Sequence, residues 1–229
     1  MIGIILFAED YEILLTFIEI LKKKNLKLEK KREREEWYEY CGEKAGEKIE
    51  LYSVLGKGYK RLVEKLKAFL ENKIFESMIY RWIKNRGFRK VVIIILYDKD
   101  KEKEMKPEID SWKKEFEKSF NDVKEYIEIK HNGVGIEFLD FSPEIESYFI
   151  KREYDKKEIS EKELEEYKKL SNNKASLALY LKQILKFKEK PSMKVYLEKA
   201  LKEDKKLIEE LEKELLISEL LAEIGLELL

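Results

Sequence analysis

The stretch VVIIILYDKDK, residues 91–101, decides how this chain is read. A short run of almost wholly apolar, mostly β-branched residues ends in two aspartates one position apart, Asp98 and Asp100. Such a run suits a strand buried on both faces, as in a parallel sheet covered by helices. The question it raises is why so buried a segment should finish in a tight pair of carboxylates.

Upstream, IGIILF at residues 2–7 has the same character. It is followed by EDYEILLTFIEILKKK, in which Ile13, Leu14, Phe17, Ile18 and Leu21 recur at helical spacing. Glu9, Asp10 and Glu12 stand in the first turn and lysines in the last, which suits the helix dipole. Residues 25–48 are polar and mixed in charge and read as a surface excursion with at most a short strand. IELYSV, 49–54, is a second strand, LGKGYK a turn, and residues 59–87 one helical stretch that stops near Gly87.

Downstream, KPEIDSWKKEFEKSFNDV places Ile109, Trp112, Phe116 and Phe120 on one helical face, with Pro107 near the first turn. EYIEIKHNGVGIEFLDF has two alternating segments around Asn132-Gly133, a dipeptide that favours a tight hairpin turn, with a plain loop into a fourth strand as the alternative. From Pro143 onward the pattern is helical: PEIESYFIKREY, SEKELEEYKKL, NNKASLALYLKQILKF, and after Pro191 a long amphipathic stretch striped by Ile208, Leu211, Leu215 and Leu216. Strands alternating with helices imply right-handed crossovers. The expected fold class is therefore α/β, a mainly parallel sheet flanked by helices over residues 1–150, with a helical C-terminal region over 151–229.

Composition narrows the function. The chain has 229 residues, enough for a real core, with 44% hydrophobic and 12% aromatic content. Its 48 basic and 48 acidic side chains cancel, so attraction to nucleic acid or an anionic membrane has to come from a local patch. Cys41 is the one cysteine and His131 the one histidine, which excludes an intrachain disulfide, a cysteine-based zinc site and a multi-histidine metal centre. No apolar run approaches the roughly 20 residues of a membrane span. MIGIILFAED has neither a basic n-region nor a small-residue cleavage site, so a cytoplasmic location is expected. Heavy use of Lys, Glu and Ile, with Gln183 the one glutamine, resembles thermophile usage.

In open parallel sheets, ligands bind beyond the carboxyl ends of the strands. Glu9 follows the first strand and Asp98 and Asp100 the third, so parallel strands bring all three acids to one edge. Extended backbone puts Asp98 and Asp100 on one side. Crowded carboxylates repel unless a cation joins them or some stay protonated, and an all-oxygen donor set favours Mg²⁺ or Mn²⁺. The other reading is that aspartates after strands are ordinary loop and cap residues.

A glutamate after the first strand and a DxD after a later, very apolar strand resemble the signature of the Toprim domain. GIILFAEDYEILLTFIEIL is similar to its first motif and VVIIILYDKDK to its second. IELYSVLGKGYKRLVEKLKAFL looks like the strand, glycine turn and helix between them. FSPEIESYFI followed by NNKASLALYLKQIL resembles segments of small Toprim-like proteins of archaea and bacteria, so the likeness extends over roughly residues 1–187.

The resemblance implies that Glu9 is a general acid/base and that Asp98 and Asp100 hold Mg²⁺ for phosphodiester cleavage or phosphoryl transfer. It also implies that Glu144 and Glu146 complete the site or a second metal position, as extra acids do in overcoming-lysogenization-defect nucleases. A separate ATPase is a partner it suggests, since this chain shows no ATPase segment. Asp10 follows Glu9 where the family usually has glycine. Lys99 and Lys101 flank the aspartates and either weaken a cation site or contact a phosphate.

Lys57, Lys60 and Arg61 in the LGKGYKR turn, with Lys174 on the later helix, are the candidate nucleic-acid contacts. The turn lacks the full phosphate-binding loop pattern and is open to the plainer reading of a βα connection. KKREREE reads as a solvated face. RWIKNRGFRK, 81–90, either touches a nucleic-acid backbone or packs Trp82 and Phe88 inward. The terminal apolar stripe implies packing within the chain or a homodimer contact, and its mixed charge does not suit a membrane surface. Three functions follow: a Mg²⁺-dependent nuclease, a non-catalytic binding or assembly module acting through the helical C-terminus, and a small nucleotide-binding protein using the strand-edge cleft.

Overall fold

The computed structural model describes residues 1–34, 36–44, 46–98, 101–126, 134–141, 146–156, 159–165 and 193–223. The chain divides into two compact units, Met1–Pro143 with Leu215–Leu229, and Glu144–Glu214.

The first unit is built on a six-stranded mixed sheet: β1 (Ile2–Ala8), β2 (Glu29–Arg34), β3 (Trp37–Lys44), β4 (Glu47–Leu55), β5 (Lys90–Leu96) and β6 (Gly135–Phe141). Their order across the sheet is β2-β3-β4-β1-β5-β6. β4, β1, β5 and β6 run parallel, and the β2–β3 hairpin is added antiparallel to β4. The α/β class and the mainly parallel sheet expected from the sequence are thus present.

Central β1 is buried at every position, because it has a parallel neighbour on each edge and helices on each face. Ile5 and Phe7 of β1 join Val91, Ile93, Ile95 and Tyr97 in one core with α2 (Tyr59–Glu71), α3 (Ile74–Tyr80) and α4 (Glu102–Tyr126). Edge-on ring contacts knit this layer: Phe7 on Phe69 at 5.2 Å and Phe75 on Phe116 at 4.8 Å. α1 (Tyr11–Lys23) buries Ile13, Leu14, Phe17, Ile18 and Leu21 outside this layer, with the Tyr11 ring 6.4 Å from that of Tyr38.

Several elements differ from the sequence reading, each for a local reason. Glu29–Arg34 and Trp37–Lys44 are two full strands paired antiparallel. β2 is EKKRER, whose charges blunt an exposed sheet edge and hide its strand character from an apolar-pattern search. Residues 59–85 are broken rather than continuous. The Asn72 side chain donates to the Ala68 carbonyl at 2.9 Å, Lys73 takes φ 54°, and a π-helical turn, Arg81–Asn85, follows α3. α4 begins at Glu102, five residues before Pro107. Glu102 and Glu104 complement its dipole, and the proline forfeits a single backbone bond near the N-terminus.

β6 pairs parallel with β5, so residues 135–141 are the fourth parallel strand of the sheet. Asn132-Gly133 lies outside the described residues, as does NNKASLALYLKQILKF. The long terminal stripe is three helices: α6 (Met193–Glu203), α7 (Lys205–Glu214) and α8 (Ile217–Glu223). Asp204 interrupts the first pair because its carboxylate caps α7, accepting the Leu207 N–H at 3.1 Å. No described helix is long and apolar enough to cross a membrane.

In the second unit, α5 (Glu146–Asp155), α6 and α7 enclose a polar network. Arg152, 8% exposed, is paired with Glu153 and donates to Asp204 at 3.1 Å. The Tyr196 hydroxyl donates to Glu153 at 2.7 Å, and burial, then Glu153, pushes its phenol far up. A reciprocal capping box between Ser160 and Glu163 opens the helical residues 161–165.

Two substitutions probe these packing arguments. A Cβ built on Gly3 would stand 2.3 Å from the Trp82 ring, which stacks on Phe88 at 5.0 Å. Gly3→Ala is expected to cost about 2–3 kcal/mol through overpacking in urea unfolding. Arg152→Met strands Glu153 without its cation, and the same measurement is expected to show a loss of about 3–5 kcal/mol.

Candidate functional site

The C-terminal edge of the parallel strands gathers the acids. Glu9 directly follows β1, and its backbone is held from two sides. Its N–H donates to the Leu96 carbonyl of β5 at 2.8 Å, and its carbonyl accepts the Gly58 N–H at 3.0 Å. The Gly56 N–H reaches Ala8 at 2.7 Å, so the β4–α2 turn wraps the end of β1. Lys57 and Gly58 in that turn take positive φ, 60° and 106°. Glycine meets the second at little cost; lysine meets the first under some strain.

Glu9 is only 4% exposed. One of its carboxylate oxygens, Oε2, accepts the backbone N–H of Asp98 at 3.1 Å. This bond ties the two strand ends together and fixes the glutamate relative to the aspartate. Asp98 is itself placed by the Tyr97 N–H to Phe141 bond, 3.1 Å, and by the Lys101 N–H to its own carbonyl, 2.9 Å.

Asp10 is the acid that the sequence reading placed in the first helical turn and noted as a departure from a family pattern, without assigning it to the site. It occupies the N-cap of α1, yet its side chain makes no capping hydrogen bond. Instead, one carboxylate oxygen each of Glu9, Asp10 and Asp98 lie within 4.8 Å of one another. Burial pushes the Asp10 carboxyl above its ordinary range. Its adjacency to Glu9 was the available signal, since a helix starting at the strand end turns consecutive residues toward one edge.

A hexacoordinate Mg²⁺ at about 2.1 Å holds its oxygens about 3–4.2 Å apart. The acids' oxygens lie within 4.8 Å of one another, and an all-carboxylate set is the right chemistry for that ion. The three acids therefore fit a hard divalent cation. Tyr59, in the first turn of α2, also senses this edge: burial, then Glu108, Glu104 and Glu9, push its phenol up. It is a neighbour that thirteen tyrosines in the sequence gave no way to single out.

Of the other residues singled out from sequence, Asp100, Glu144 and Lys174 lie outside the described residues, as does the side chain of Glu146. Lys60 and Arg61 are exposed on the first turn of α2. Lys57 pairs with Glu36 at 3.3 Å. Glu36 also accepts from Lys65, which in turn donates to the Leu55 carbonyl at the end of β4. These two lysines and Glu36 thus brace the turn that lies against Glu9.

No protein-family model and no curated protein matches the chain. Among solved structures it has a likeness to a futalosine hydrolase mutant of Helicobacter pylori strain 26695. That match has 13% identity and TM-score 0.24, and covers 42% of this chain and 36% of that one. A second is Helicobacter pylori MTAN, at 16% identity and TM-score 0.23, covering 42% and 35%. The chain thus spans only about a third of the length of either neighbour, and likeness at this level carries no argument about its chemistry.

The Glu36 brace has a pH signature. The hydrogen bond from Lys65 holds its carboxyl below the ordinary range, against the opposing effect of burial and with help from Lys57. Its contribution is then complete above the unfolded-state value and is lost as pH falls through the lower, folded-state value. Glu36→Gln should therefore lower stability at pH 7 by about 0.5–1 kcal/mol. The difference from wild type should close as unfolding is followed down through the acid range below the usual glutamate value.

Proposed function

We propose that the chain is a Mg²⁺- or Mn²⁺-dependent enzyme of nucleic-acid phosphodiester chemistry, with a nuclease activity at the strand-edge acids. The observation that carries this reading is the carboxylate triad of Glu9, Asp10 and Asp98, gathered within 4.8 Å at the carboxyl end of adjacent parallel strands. The resemblance to Toprim motifs supports it: the glutamate and the first DxD aspartate come from strands that are hydrogen-bonded neighbours.

In this reading Asp98 and Asp10 hold the cation, joined by Asp100 from the same loop. When bound, such an ion stabilises charge on the phosphoryl oxygens and lowers the pKa of a bound water. Glu9 is the group that handles the proton. It is buried, and the Asp98 N–H fixes the direction of one of its oxygens. Lys60 and Arg61, exposed beside the turn, supply the positive charge that a neutral chain needs to meet a polyanion locally. A separate ATPase is the partner this reading adds.

The test begins with metal. Calorimetric titration with Mn²⁺ should show saturable binding by wild type and a loss of tenfold or more in Asp98→Asn and in Asp10→Asn. Labelled single- and double-stranded DNA and RNA are then incubated with Mn²⁺. Cleavage that disappears in Glu9→Gln, while that variant still binds the ion, supports the assigned roles. Equal Mn²⁺ affinity in wild type and both aspartate variants would sink the metal reading, leaving the assembly-module alternative.

A further inference from the structure

A second cleft lies on the sheet face that α3 and the π-helical turn cover, and it belongs to a different chemistry. Its volume is about 420 Å³, within the range of small-ligand pockets. β2 brings Lys31 and Arg32 to it, β3 Glu39, β4 Glu50, and the helical side Arg81 and Arg86. Four cations therefore meet two carboxylates. Arg86 is paired with Glu50, and Arg32 stands 4.0 Å from Glu39. Lys31 and Arg81 have no ion-pair partner among the described residues, so the cleft keeps a positive excess in a chain whose net charge is zero.

The helical side of the cleft is one face of α3 and the π-helical turn, lined by Ile74, Met78, Arg81, Trp82 and Arg86. π turns are found often at functional sites. Arg81 and Arg86 both line the cleft, Ile83 between them is buried, and the largely buried Trp82 adds its edge to the lining. Apolar lining completes the cleft: Tyr52 from β4, with Ile74 and Met78 of α3.

We infer that this cleft binds a 5′-mononucleotide, its phosphate held by Arg81 and Lys31 and its base against Tyr52 and Met78. Arginine forks match phosphate oxygens, and an aromatic ring beside a thioether suits the flat face of a base. The cleft is separate from the acidic edge. Glu50–Tyr52 pair with Gly3–Ile5, and Glu9 follows four residues further along β1, so the two sites are on the order of 15 Å apart. The inference is thus independent of the metal reading.

The test uses the full chain in EDTA, so that no divalent ion is available at the acids. The four ribonucleoside 5′-monophosphates are titrated calorimetrically beside inorganic phosphate and adenosine. At least one nucleotide should bind saturably and at least tenfold more tightly than phosphate or adenosine. Arg81→Gln, an exposed substitution that leaves the core intact, should weaken it at least tenfold, and Asp98→Asn should leave it unchanged. Cys41, the one cysteine, lines the cleft and reports its location. Its alkylation by iodoacetamide should slow at least fivefold with bound nucleotide in wild type. Four outcomes would each overturn the proposal: no saturable binding at millimolar nucleotide, binding unchanged by Arg81→Gln, phosphate as tight as nucleotide, or unprotected Cys41.

Discussion

The parallel pairing of β1 with β5 is the constraint on which the first unit depends. Seven consecutive residue pairs, Ile2 with Lys90 through Ala8 with Leu96, set the two strands level at their carboxyl ends. One more step of the ladder, the Glu9 N–H to Leu96, carries the register into the loop. The bond from the Asp98 N–H to the Glu9 carboxylate then follows from the same alignment. Slipping either strand by one residue would turn the alternating core side chains to the wrong face and part the two acids together. Folding and site geometry are therefore held by the same set of backbone bonds.

Carboxylates gathered in this way oppose folding. Burial disfavours the charged form of Asp10, and its carboxyl rises above the ordinary range. The surrounding structure offsets it with rigid apolar packing: β1 buried at every residue, aromatic rings edge to face beneath it, and the β4–α2 turn braced by Glu36, Lys65 and Lys57. The acids therefore stand on a rigid floor that holds them already assembled.

The second unit relies on another principle. Its helices share a buried Arg152–Glu153–Tyr196 network rather than a purely apolar centre. Such a network satisfies its own polar groups only in one arrangement, which restricts the ways three short amphipathic helices pack.

The apolar runs of β1 and β5, the stripe of α1 and the strand–helix alternation determined the α/β class directly, because burial on both faces leaves no other use for such short apolar segments. That Glu9 and Asp98 share an edge also followed from the chain order, given parallel strands. Only the tertiary structure decided the rest. The charged β2 is a strand because β3 offers it a ladder, although its side chains carry no apolar period. Asp10 joins Glu9 and Asp98 because α1 starts at the sheet edge and leaves the capping role unused. Arg81 and Arg86 share a cleft with Lys31, Arg32 and Tyr52 because the sheet brings β2 and β4 beneath the helical segment. Each of these depends on partners far away in sequence. Short-range periodicity reports which face is buried, and tertiary packing determines what that face meets.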